Sequence, residues 1–131
     1  MRTYIKMGKT FRDIIAWQKA YEYCLRVYRI SANFPDFEKF GLRSQFTRAA
    51  VSVTANIAEG YKKVSRQDKL RFLNIAEGSL EECRNYNLLA KDLEYITLEE
   101  FKELEYMANG VGLFLSSYSK GIAENSTSKD L

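Results

Sequence analysis

Apolar residues recur along most of the chain at alternating steps of three and four residues, the spacing that places them on one face of an α-helix. This pattern predicts helices over about residues 12–32, 42–63, 65–95 and 97–122. The first helix must end before Pro35, because proline disfavours the helical conformation in the residue that precedes it. No segment shows the alternation of apolar and polar residues that is typical of a β-strand.

Each predicted helix has an apolar stripe. In the first helix the stripe comprises Ile14, Trp17, Tyr21, Cys24 and Tyr28, widened by Leu25 and Val27. In the second it comprises Leu42, Phe46, Ala49, Val53, Asn56, Ile57 and Gly60, and a second face carries the small or weakly polar Thr47, Val51, Thr54 and Ala58. In the third helix the stripe comprises Leu73, Ala76, Leu80, Cys83, Asn87 and Ala90. In the fourth it comprises Phe101, Leu104, Ala108, Val111, Leu115, Tyr118 and Ile122. We therefore expect the second helix to contact neighbours on both sides.

Capping residues and two unusual positions add local detail. Ser65 and Thr97 are predicted to cap the third and fourth helices, and Glu100 completes a capping box with Thr97. Gly78 lies inside the third helix, where glycine costs about 1 kcal/mol relative to alanine, so we expect another backbone to pack closely against it. Asn56 lies on the apolar face of the second helix, where a buried amide needs hydrogen-bond partners and can fix register or partner choice.

The loops between the predicted helices are short, and short loops place consecutive helices antiparallel. The fold class is therefore all-α, an antiparallel up-down four-helix bundle. The 131 residues are enough for one domain, with a core over about residues 11–123. The polar tail after Ile122 and the N-terminus are predicted to be frayed.

Composition excludes several kinds of chemistry. The chain has no histidine, which excludes Ser-His-Asp and Cys-His catalysis and His-containing zinc sites. Its two cysteines, Cys24 and Cys83, fall in apolar stripes and are interpreted as small buried hydrophobic residues. We expect a protein without catalytic residues, metal or cofactor. The free thiols, the lack of a secretory signal and the lack of a membrane-spanning run favour the cytoplasm.

Charge is divided unevenly along the chain. Residues 39–71 carry eight basic and two acidic side chains, whereas residues 77–106 carry three basic and nine acidic ones. One interpretation is a solvated surface, or opposite charges that guide contacts between subunits. The other is a phosphate-binding surface on the second helix and the turn that follows it. Its candidate residues are Arg43, Arg48, Lys62, Lys63, Arg66, Lys69 and Arg71. Binding to a membrane surface is disfavoured, because no exposed bulky apolar face accompanies these cations.

Six segments together resemble a known family: residues 11–20 (FRDIIAWQKA), 34–35 (FP), 38–45 (EKFGLRSQ), 48–53 (RAAVSV), 56–60 (NIAEG) and 72–82 (FLNIAEGSLEE). They are similar to the small four-helix bundle proteins encoded in intervening sequences of bacterial 23S ribosomal RNA genes. The resemblance implies a ring-shaped homopentamer without known catalytic residues. It implies that Trp17, Gln45, Arg48, Asn56, Glu59 and Gly60 determine the fold and the contacts between subunits. The accessory protein of diversity-generating retroelements, which is similar in fold, binds nucleic acid and a reverse transcriptase.

Two functions follow as expectations. The first is a non-catalytic, oligomeric scaffold that binds RNA or DNA chiefly through phosphates. The second is an oligomeric adaptor whose partner is another protein. In either case several copies in one ring would strengthen weak individual contacts by avidity.

Overall fold

The computed structural model describes residues 9–129, with the side chains of residues 9–125. Its four helices are α1 (Ile15–Ser31), α2 (Leu42–Lys62), α3 (Arg66–Asp92) and α4 (Leu98–Lys129), and short 3-10 turns cover Phe11–Asp13 and Asp36–Glu38. Helix α1 packs against α2 and α4, and α3 packs against the same two helices. The four-helix bundle predicted from the sequence is confirmed, and residues 9–129 contain no strand.

The helix ends follow from local hydrogen bonds. Ser65 caps α3 by accepting the Asp68 amide at 3.1 Å, and Thr97 and Glu100 form the predicted capping box at the start of α4. Helix α3 ends at Asp92, three residues before its predicted end, because Glu94 takes a left-handed conformation with φ of 62°. The amides of Glu94 and Tyr95 then donate to carbonyls of the last helical turn, which is the Schellman arrangement.

The apolar stripes of α2, α3 and α4 form the core largely as predicted. Every stripe residue of α3 is buried, and the stripe of α4 is buried from Leu104 to Leu115. In α2 the exception is Asn56, which is half-buried. Its side-chain amide donates to the carbonyl and hydroxyl oxygens of Ser52, so its hydrogen bonds stay within its own helix.

The prediction for α1 was right only in part. Ile14, Cys24 and Val27 of the predicted stripe are buried, whereas Tyr21 and Tyr28 are 46% and 49% exposed. The face that enters the core is completed by four residues that the stripe did not include: Ala16, Ala20, Tyr23 and Ile30. Small alanines let the helices approach closely, and the tyrosine that is buried is the one whose hydroxyl finds a partner inside the bundle.

The partner of the buried tyrosine belongs to a series of hydrogen bonds that crosses the core. The Tyr23 hydroxyl donates to Asn87 Oδ1 at 2.7 Å, and Asn87 Nδ2 donates to Glu105 Oε2 at 2.9 Å. The contacts link α1, α3 and α4. Asn87 is fully buried, so its two hydrogen bonds replace those it would make with water. Burial also raises the pKa of Tyr23 above its ordinary value, so this hydroxyl keeps its proton.

Glu38 joins elements at the end of the bundle where α2 begins and α3 ends. Its carboxylate accepts the Leu42 amide at 2.8 Å and the Tyr95 hydroxyl at 2.8 Å. The first bond satisfies a free amide at the start of α2, and the second ties that start to the loop after α3. Both bonds favour the charged form, so they hold the pKa of Glu38 below its ordinary value.

The C-terminal segment beyond the predicted core is helical, which differs from the prediction. Residues 124–129, predicted to be frayed, continue α4, because the chain has no glycine or proline after Gly121. Residues 1–8 and 130–131, also predicted to be frayed, lie outside the described residues. In the described part of the chain, no helix is long and apolar enough to cross a membrane.

The two glycines singled out from the sequence have opposite surroundings. A Cβ atom at Gly60 would lie 3.1 Å from Phe72 Cβ and 3.4 Å from the Lys69 carbonyl oxygen, so this glycine lets α2 approach α3. At Gly78 a Cβ atom would meet nothing within 4 Å. The expected close packing at Gly78 is therefore wrong within the chain, because that residue faces outward from the bundle.

This contrast gives a test of the α2–α3 packing. We expect Gly60→Leu to lower the free energy of unfolding by about 1–3 kcal/mol, because the added atoms must push α3 away. The matched variant Gly78→Ala should raise it by up to about 1 kcal/mol, because alanine is the better helix former and meets no obstacle. Urea denaturation measures both changes. A Gly60→Leu protein as stable as the wild type would contradict the close approach.

Candidate nucleic-acid interface

The turn between α2 and α3 gathers cations at one end of the bundle. Lys62 is the last residue of α2, and Lys63 follows it directly. Ser65 starts α3 within three residues, so the basic residues of its first two turns lie beside the end of α2. The cations brought together in this way are Lys62, Lys63, Arg66, Lys69 and Arg71, which we call the turn cluster.

Aromatic rings hold three of these five side chains. Lys63 Nζ lies 4.9 Å from the centre of the Phe72 ring, and Arg71 Cζ lies 4.6 Å from the same centre. Lys69 Nζ donates to the Tyr61 carbonyl at 2.7 Å and lies 5.6 Å from the centre of the Tyr61 ring. Each of these distances to a ring centre lies within the range of a cation–π contact. Aromatic rings thus help to direct the charges of these three side chains.

Two acidic residues lie near the turn cluster. Arg71 Nη2 and Asp68 Oδ1 are 3.5 Å apart, and both side chains are more than half exposed. An exposed pair of this kind contributes little to stability and is screened by salt. Glu59 is exposed on α2, close to the same end of the bundle. By sequence, residues 59–71 carry five basic and two acidic side chains.

The remaining two predicted cations, Arg43 and Arg48, do not join the cluster. At 1.5 Å per residue, Arg43 lies about 28 Å from Lys62 along α2. The seven basic residues predicted to bind nucleic acid are therefore spread along α2 and the turn, because a helix of 21 residues separates its own two ends. Residues far apart on one helix contact separate regions of a ligand.

Arg48 lies instead in a polar groove of about 480 Å³ between α2 and α3. Its lining residues are Phe40, Ser44, Gln45, Arg48, Ala49, Ser52 and Glu82. The Tyr86 hydroxyl lies 2.9 Å from both Gln45 Oε1 and Glu82 Oε2, and its one proton is donated to one of them at a time. Burial, and then the bond to Glu82, raises the pKa of Tyr86. The sequence analysis did not identify this groove, although the spacing of Ser44, Arg48 and Ser52 by four residues signals one helix face.

The residues predicted to determine fold and subunit contacts are spread over the bundle. Trp17 is half-buried between Phe11 and Tyr21, whose ring centres lie 5.0 Å and 4.7 Å from its own. Gln45 belongs to the polar groove, and Gly60 to the α2–α3 contact. The structure therefore divides this set among three different places rather than joining it in one site.

The positions of the acidic and cysteine side chains bear on metal and thiol chemistry. Among the described residues, no group of three or more acidic or cysteine side chains is placed to hold a metal ion. Cys24 and Cys83 are buried and unpaired, as the sequence predicted. Burial raises the pKa of the Cys83 thiol to about 12, so it remains protonated at neutral pH.

The chain has recognisable relatives. A crystal structure at 1.70 Å of a protein of unknown function from the S23 ribosomal protein family of Bacteroides thetaiotaomicron is similar, with a TM-score of 0.76 and 27% identity. The similarity covers 83% of this chain and 98% of that chain. No match is found among curated proteins. The sequence profile described as 23S rRNA-intervening sequence protein matches residues 12–117. Since that match spans most of the sequence, the chain belongs to the family of 23S rRNA-intervening sequence proteins.

Proposed function

We propose that this protein is a non-catalytic, oligomeric scaffold that binds RNA in the cytoplasm through the turn cluster. The observation that carries the proposal is the gathering of Lys62, Lys63, Arg66, Lys69 and Arg71 at one end of the bundle. Lysine and arginine side chains bind phosphate oxygens, and phosphates supply most of the affinity in binding that is independent of sequence. The name of the family, which refers to 23S ribosomal RNA, makes RNA the first ligand to test.

Assembly into a ring, with a pentamer favoured, is part of the proposal. It is supported by an apolar strip on the outer side of α1, formed by Trp17, Tyr21, Leu25 and Tyr28, of which the last three are exposed. Exposed apolar strips of this kind commonly mark contact surfaces. Several turn clusters in one particle would bind a long RNA by avidity. Light scattering on the purified protein measures the number of copies, and a monomer would contradict this part of the proposal.

The salt dependence of RNA binding tests the proposed function. We expect a fluorescently labelled, structured RNA to bind at low salt. If five phosphates are contacted, the dissociation constant should rise about 500-fold between about 50 and about 200 mM salt. Fluorescence anisotropy measures the constant at each salt concentration. The absence of binding even at the lowest salt would overturn the proposal.

A protein-interaction adaptor is the second candidate function. It is favoured by the polar groove, whose rim carries Phe40 with 87% of its surface exposed. Aromatic residues and arginine are enriched at protein interfaces, and here Phe40 and Arg48 line the same groove. A pull-down after nuclease treatment separates the candidates. One protein partner that is lost in an Arg48→Ala variant would favour the adaptor.

A further inference from the structure

One aromatic ring at the α2–α3 turn has two cations over it. Phe72 is half-buried on α3, and its Cβ atom lies against the position of Gly60 on α2. The Lys63 ammonium and the Arg71 guanidinium approach the same ring, at 4.9 Å and 4.6 Å from its centre. The two cations come from different elements, since Lys63 follows α2 and Arg71 lies in α3. The ring is therefore a group that both cations contact, while Arg71 Nη2 also lies 3.5 Å from Asp68 Oδ1.

Two positive charges that lie near one ring repel each other, so another interaction must hold them there. Lys63 and Arg71 repel each other, and both side chains are long enough to separate in water. The negative face of an aromatic ring attracts each cation and offsets part of that repulsion. A pair of cations fixed before binding loses less side-chain freedom when a ligand arrives. The arrangement thus favours a ligand with closely spaced negative charges.

The same contacts disfavour a ligand that is bound by base stacking. Sites for single-stranded nucleic acid use open aromatic faces on which bases stack. At this turn the two rings have cations over them: Phe72 has Lys63 and Arg71, and Tyr61 has Lys69. A duplex keeps its bases stacked inside and presents its phosphates outward.

From these observations we infer that Phe72 is a positioning residue, whose ring holds Lys63 and Arg71 as a fixed pair for the phosphates of an RNA duplex. The inference rests on the proposed function and deepens it, because it names the form of RNA and the residue that prepares the site. Phe72 itself touches no phosphate in this account. It acts through the two cations.

The test separates affinity from the number of phosphate contacts. The probe is an RNA duplex of about 16 base pairs, compared with a non-pairing strand that has the same number of phosphates. We expect Phe72→Leu to weaken duplex binding about threefold to tenfold while leaving the slope of log Kd against log salt unchanged, because no charge is lost. The Lys63→Gln/Arg71→Gln double variant should lower that slope by about two, since two phosphate contacts disappear. Phe72→Tyr, which keeps the ring, should bind within about twofold of the wild type.

The outcomes distinguish the inference from the proposed function. If the wild type binds neither probe, the proposed function fails. If the wild type binds and the Lys63→Gln/Arg71→Gln slope falls, but Phe72→Leu binds normally, only the positioning role fails. Tighter binding of the single strand overturns the duplex assignment. Circular dichroism verifies that each variant is helical. If Phe72→Leu does not fold, Phe72→Met replaces it, because methionine also lacks a ring. Normal binding by the methionine variant would equally overturn the positioning role.

Discussion

Asn87→Leu is expected to lower the free energy of unfolding by about 3 kcal/mol, although leucine is the more hydrophobic residue. Asn87 is fully buried and connects the Tyr23 hydroxyl to the Glu105 carboxylate. Leucine would leave the Tyr23 hydroxyl, itself 1% exposed, without its acceptor, and would remove a donor from a half-buried carboxylate. An unpaired buried polar group costs about 1–3 kcal/mol, and more where charge is involved.

A double-mutant cycle identifies the cause of that loss. In the Tyr23→Phe/Asn87→Leu variant both partners of the bond are apolar, so we expect it to be about 1 kcal/mol more stable than Asn87→Leu alone. Asn85→Leu is the matched control, because Asn85 is exposed on the same helix and its replacement should change stability by less than about 0.5 kcal/mol. Urea denaturation measures the wild type, the single variants Tyr23→Phe and Asn87→Leu, the double variant and the control. Simple additivity of the single variants would contradict a role for the Tyr23–Asn87 bond.

The same bond explains which part of the fold could not be predicted from the sequence. The stripes of α3 and α4 are mostly aliphatic, so periodicity alone located their buried faces. In α1 the large residues are aromatic, and the spacing of Trp17, Tyr21 and Tyr28 is as regular as that of a buried stripe. Tyr23 enters the core because its hydroxyl meets Asn87, 64 positions further along the chain. Local spacing contains no information about a partner so distant.

The candidate site was predictable to a similar extent. The turn cluster is nearly continuous in sequence, so its members had to be neighbours in space once α2 ended and α3 began. Arg43 and Arg48 were grouped with them by charge alone, and the rise of a helix places them about 28 Å and about 21 Å from Lys62 along α2. The contacts of Lys63 and Arg71 with Phe72 depend on side-chain rotamers at a helix junction. Those rotamers are fixed by packing between two helices, which the sequence pattern does not describe.

Reversing the charge of three members of the turn cluster should have the largest effect on binding. We expect Lys62→Glu/Lys63→Glu/Arg66→Glu to weaken binding to structured RNA at least about 100-fold at moderate salt, because three attractions become repulsions. The slope of log Kd against log salt should fall by about three. The bundle should remain folded, since Lys62 and Arg66 are exposed and Lys63 is half-buried.

The helix dipoles are expected to contribute almost no net change to the free energy of unfolding of this triple variant. A glutamate at position 62 lies at the C-terminal end of α2, where a negative charge is unfavourable by about 0.3–1 kcal/mol. A glutamate at position 66 lies at the N-terminal end of α3, where it is favourable by a similar amount. The two effects offset each other. A loss of binding by a protein with an unchanged melting temperature therefore reports on the surface and not on the fold.

The decisive comparison is with a variant of the same net charge. Lys19→Glu/Arg29→Glu/Lys102→Glu reverses three exposed cations outside the turn cluster and changes the net charge by the same amount. If phosphates bind at the turn, this control should retain most of the affinity that the turn variant loses, apart from a general weakening that salt screens. Fluorescence anisotropy on the two variants at equal salt measures the difference. Equal losses would show that RNA responds to the overall charge of the protein, and unchanged affinity in the turn variant would place the RNA-binding surface elsewhere on the bundle.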